Sequence, residues 1–64
     1  MKFTLAQKRE IVTRFKAGES CYGTIRQNMG IVGDFSAGDI EQVIRSFMRG
    51  EFTVPRWFRV KKCQ

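Results

Sequence analysis

Lys8-Arg9-Glu10-Ile11-Val12-Thr13-Arg14-Phe15-Lys16-Ala17-Gly18-Glu19-Ser20 decides how this chain is read. Ile11, Val12 and Phe15 fall on one face at helical spacing, and Leu5 extends that face toward the N-terminus. Upstream, Thr4 followed three residues later by Gln7 forms a capping box, which predicts a first helix over 5–17. Gly18 suits the left-handed position that ends a helix, and Lys16 complements the negative helix end. Ser20 is then free to cap a second helix. Lys8 falls within the apolar sector, where its stem can snorkel to water.

The same grammar repeats downstream. Cys21, Tyr22, Ile25 and Met29 share a face, and Gly30 follows, which predicts a helix over 21–29 with Cys21 as a small core residue. The segment 31–35 reads as a loop pinned by Ile31 and Phe35. Ser36, with Asp39 at the third position, opens a third helix over 37–49. Ile40, Val43, Ile44 and Phe47 make its apolar stripe, Met48 lies at the margin, and Gly50 stops it. The expected fold is all-α: a compact three-helix domain over 1–50, with a core of Leu5, Val12, Phe15, Ile25, Ile40, Ile44 and Phe47. A basic, aromatic tail over 51–64 packs on it.

That tail has β character. Phe52 and Val54 alternate before Pro55, and Phe58, Val60 and Lys62 alternate after it. A short hairpin and an extended arm both fit, although Pro55 forbids a central strand. Phe52 and Phe58 are expected to close the core, whereas Trp57 suits core packing and ligand contact equally.

Composition narrows the function. The chain has 64 residues, no histidine, two cysteines and a formal net charge of +6. General acid–base work would fall to scattered carboxylates, Lys, Tyr or Cys, and no nucleophile, phosphate-loop or metal pattern is present. Asp39 and Glu41, two apart on a helix, diverge. The expectation is a non-enzymatic protein without cofactor or metal. Cys21 and Cys63 without histidine make a poor zinc site, and in the cytosol both are expected to be free thiols. Neither an apolar run long enough to span a membrane nor a signal-peptide core is visible, so a cytoplasmic location is expected.

Charge is concentrated at the two ends. Lys2, Lys8, Arg9, Arg14 and Lys16 face only Glu10 in the first 17 residues, and Arg56, Arg59, Lys61 and Lys62 face only Glu51 in the last 14. That pattern suits a polyanion. Arg9 and Lys16 flank one edge of the first helix's stripe and can grip a phosphate strand, or simply form a solvated face. On the third helix, Gln42, Arg45 and Arg49 lie opposite the apolar stripe. These residue types read base edges, although Glu41 and Arg45 also fit an ordinary i, i+4 pair. Arg56, Trp57, Arg59, Lys61 and Lys62 interleave aromatic and basic groups suited to stacking and phosphate contact.

Residues 5–31, with Lys8-Arg9-Glu10-Ile11-Val12, Phe15, Gly18-Glu19-Ser20, Ile25 and Gly30-Ile31, resemble the first two helices of the homeodomain-like helix-turn-helix domain of transposases and small phage regulators. Ser36 to Gly50 stands where that family carries its recognition helix. The resemblance implies a small regulator, transcriptional or of a mobile element, that binds duplex DNA. Two other functions fit the residues: an adaptor or inhibitor that docks on a protein through the aromatic tail and third helix, and an RNA-binding accessory protein.

Overall fold

A computed structural model describes residues 3–19 and 21–59. Three helices follow one another: α1 over Leu5–Lys16, α2 over Tyr22–Met29 and α3 over Ala37–Met48. No strand occurs among the described residues. The all-α, three-helix expectation therefore holds. The readings placed on Ser20, Val60, Lys61, Lys62 and Cys63 lie outside the described residues.

The helix boundaries follow from their caps. Thr4 accepts from the Gln7 amide at 3.1 Å while the Gln7 side chain accepts from the Thr4 amide at 2.9 Å. Ser36 and Asp39 close the same reciprocal pair at the start of α3. Each box satisfies N–H groups that the first helical turn leaves without a partner. At the other ends, the backbone turns left-handed at Gly18 (φ 106°) and Gly50 (φ 82°), where a side chain would be strained. The Glu19 and Glu51 amides then reach back to the carbonyls of Arg14 and Ser46, both at 3.1 Å. α1 and α3 each end one residue earlier than the sequence predicts, since Ala17 and Arg49 are the cap residues themselves.

The core is centred on one isoleucine from each helix. Ile11, Ile25 and Ile40 are fully buried, joined by Val12, Val43 and Ile44 and by Ile31 and Phe35 from the α2–α3 connection. Burying each of these side chains contributes about 1.5–3 kcal/mol. Phe15, Phe47, Phe52 and Val54 pack around this centre half-buried. Phe3 stacks on Phe35 with ring centroids 3.9 Å apart and closes the far side.

Two expected core residues are outside it. Leu5, the first residue of α1, is 49% exposed. Cys21 is exposed as well. α2 begins at Tyr22, so Cys21 sits in extended conformation at the cap position, off the helical period that would turn it inward.

One charged residue is inside. Arg14 is only 7% exposed, and its guanidinium binds Glu10 at 3.0 Å and Glu19 at 3.4 Å. Glu19 also accepts from Asn28 at 2.8 Å, so one carboxylate joins the end of α1 to α2. Arg26 donates to the Phe35 carbonyl at 2.8 Å and fastens α2 to the loop before α3.

Candidate nucleic-acid interface

The chain after Gly50 folds back along α1. Phe52 meets Phe47 with centroids 5.7 Å apart, and Val54 packs on the core. Pro55 to Phe58 form a turn, closed by the Phe58 amide donating to the Pro55 carbonyl at 3.1 Å. The described part of the tail is thus an extended arm ending in a turn. Phe58 is half-buried, and Trp57, at 73% exposed, is open to solvent.

Three cations of α1 meet aromatic rings of α3 and the tail. Lys8 Nζ lies 5.8 Å from the Phe52 ring centroid, Lys16 Nζ lies 4.9 Å from that of Phe47, and the Arg9 guanidinium lies 5.9 Å from that of Trp57. Arg9 Nε also donates to the Thr53 carbonyl at 3.1 Å. Each such cation–ring contact contributes about 0.5–1 kcal/mol at an exposed site. Helical geometry accounts for the row, since residues 9 and 16 lie almost above one another along the helix, about 10 Å apart.

Five of the six carboxylates, all but the exposed Asp34, are engaged elsewhere. Glu10 and Glu19 bind Arg14, Glu41 binds Arg45 at 2.8 Å, and Glu51 binds Arg49 at 2.9 Å. Asp39 is held in the cap of α3. The Arg49 hydrogen bond and charge lower the Glu51 pKa, with smaller help from Ser46 and Lys8. Among the described residues, Lys8, Arg9, Lys16, Arg26, Arg56 and Arg59 have no carboxylate within 4 Å, and of these only Arg26, bound to the Phe35 carbonyl, lies outside α1 and the tail. Arg59 curls onto its own turn instead, donating to the Arg56 carbonyl at 2.7 Å.

The face of α3 is different in kind. Gln42, Arg45 and Arg49 are all exposed, as their helical spacing requires. Arg45 is held by Glu41 through two hydrogen bonds, and Arg49 by Glu51 and Ser46. Gln42 lines a shallow cleft of about 240 Å³, together with Phe3, Lys8, Asp39 and Ser46. The structure thus gathers Arg9, Arg56, Trp57 and Arg59 around one turn, with Lys16 further along α1. It leaves Gln42, Arg45 and Arg49 on α3. Arg9 is legible in the sequence as a candidate contact but its bond to Thr53 is not, because nothing local links residues 44 positions apart.

No protein-family model, curated protein or solved structure matches this chain. The functional reading therefore stands on the chain's own residues. No described helix is long and apolar enough to cross a membrane.

Proposed function

We propose that this protein binds nucleic acid, with duplex DNA as the ligand, through the surface formed by α1 and the tail. One observation carries the reading. Carboxylates pair with Arg14, Arg45 and Arg49, and leave Lys8, Arg9 and Lys16 of α1 and Arg56 and Arg59 of the tail without one. The cations without a carboxylate thereby concentrate, among the described residues, on α1 and the tail that packs against it. A polyanion is the partner that such a surface attracts, and its condensed counterions are released on binding. Arg9 and Lys16, about 10 Å apart along α1, are placed to contact separate phosphates of one DNA strand.

The helix-turn-helix resemblance supports the same class of ligand but a different surface. In that arrangement α3 would enter the groove. Here its first turn carries Asp39 and its second Glu41, which phosphates repel, and its two arginines already have carboxylate partners. Surface ion pairs of this sort are worth about 0–1 kcal/mol, so they can open, but each must be broken before the arginine reads a base. Phosphate contact by α1 and the tail requires no such exchange.

The test is a salt titration of binding to a duplex of arbitrary sequence. Contacts from Arg9, Lys16, Arg56 and Arg59 predict a log–log slope of about −4, or steeper if Lys61 and Lys62 contribute. Absence of binding to DNA or RNA at low salt would refute the reading and favour docking on a protein.

A further inference from the structure

Trp57 is the only tryptophan in the chain and the most exposed large apolar residue among those described. An aromatic side chain of that size normally finds cover, so its setting needs a reason. The indole is not loose. Arg9 lies against it, the Pro55–Phe58 turn fixes its backbone, and Phe58 touches it at a tilt with centroids 6.3 Å apart. Arg9 is itself anchored to Thr53. The result is a positioned ring, 73% open to solvent, flanked in sequence by the exposed Arg56 and close to Arg59.

From this arrangement we infer that Trp57 is a stacking site for an unpaired nucleobase, so that the protein prefers duplex DNA carrying a single-stranded extension. The inference rests on the nucleic-acid reading above and adds the kind of DNA. Away from its ends, a paired duplex covers every base face with the neighbouring pairs. An exposed indole gains nothing from such a ligand, whereas phosphates alone satisfy the cations around it. An unpaired base offers a free π-face, and stacking accepts any base because all four have one. Arg9 on the indole adds a guanidinium plane beside the stack, and Arg56 and Arg59 supply charge for the flanking phosphates.

The experiment compares three ligands built on one duplex: blunt-ended, with a short single-stranded extension, and with an extension of equal length lacking bases. The abasic extension keeps the added phosphates and removes the rings. Trp57 fluorescence reports the contact directly, because there is no second tryptophan. The base-bearing extension should bind about tenfold more tightly than the other two and quench the indole emission. Trp57→Leu should abolish that difference, and Trp57→Phe should retain part of it. Equal affinity for the abasic and base-bearing extensions, or tight binding without quenching, overturns the stacking site while leaving the basic surface intact. Failure of all three ligands to bind at low salt overturns both.

Discussion

Arg9 on α1 donates from Nε to the carbonyl of Thr53, 44 residues later, at 3.1 Å. The same guanidinium lies 5.9 Å from the centroid of the Trp57 ring. One side chain therefore holds the arm against the first helix and shapes the surface that the arm completes. The fold and the proposed interface meet at this residue.

Arg9→Ala should consequently loosen the tail without unfolding the helices. The lost hydrogen bond and ring contact together amount to about 1–2 kcal/mol. Amide hydrogen exchange at residues 53–58 should accelerate while that of α3 stays slow. Unchanged exchange along the tail would show that Phe52 and Val54 hold it unaided.

Burial ranks the core substitutions. Ile40 is fully buried, and Ile40→Ala should cost about 2–5 kcal/mol. Phe47 is only half-buried, lying against Phe52 and beneath Lys16. Phe47→Ala should cost about 3 kcal/mol, at the lower end for a core phenylalanine. Thermal denaturation checks both, each kcal/mol moving the midpoint by about 4–8 °C in a domain of this size. An unshifted midpoint for Ile40→Ala would contradict the assigned core.

Arg14 is the one buried charge in the described core. Replacing it by leucine keeps the apolar stem but leaves Glu10 and Glu19 without their guanidinium. Those carboxylates are 30% and 27% exposed and partly recover hydration. The expected loss is about 1–3 kcal/mol, less than for a pair sealed from water. Denaturant melts of Arg14→Leu and the wild type decide it, and equal stabilities would mean that the ion pairs are energetically silent.

Cys21 offers a pH test. The Thr24 side chain lowers its pKa, helped by the Thr24 and Gly23 amides at the start of α2. The thiolate is the form these donors favour. Because the folded pKa is depressed, the associated stabilisation is present above the unfolded pKa and is lost as pH falls through the folded one. In a Cys63→Ser background, alkylation should reach its half-maximal rate at lower pH in the folded than in the unfolded chain. Thr24→Val should move that midpoint upward. Coincident folded and unfolded profiles would count against this local effect.

The sequence made the helices legible because their ends are local. Thr4 with Gln7, Ser36 with Asp39, and the glycines at 18, 30 and 50 act within a few residues of one another. Non-local contacts left no such mark. Phe3 meets Phe35 across the length of two helices, and Arg26 finds the carbonyl of Phe35. The apolar period turns Cys21 inward, yet the helix starts one residue later. Arg14 did carry a signal, since Glu10 precedes it by four residues, but spacing alone does not say that the pair is buried. At the candidate interface, residue types were readable and their assembly was not. Which cations keep a carboxylate partner depends on how α1, α3 and the tail pack.

The most direct test of the α1–tail surface is a chemical-shift titration of the labelled protein with a short DNA duplex at low salt. Resonances of Arg9, Lys16, Arg56 and Arg59 should move together as binding saturates, while those of Gln42, Arg45 and Arg49 stay near their free positions. Shifts concentrated on Gln42, Arg45 and Arg49, or none at all, would contradict it.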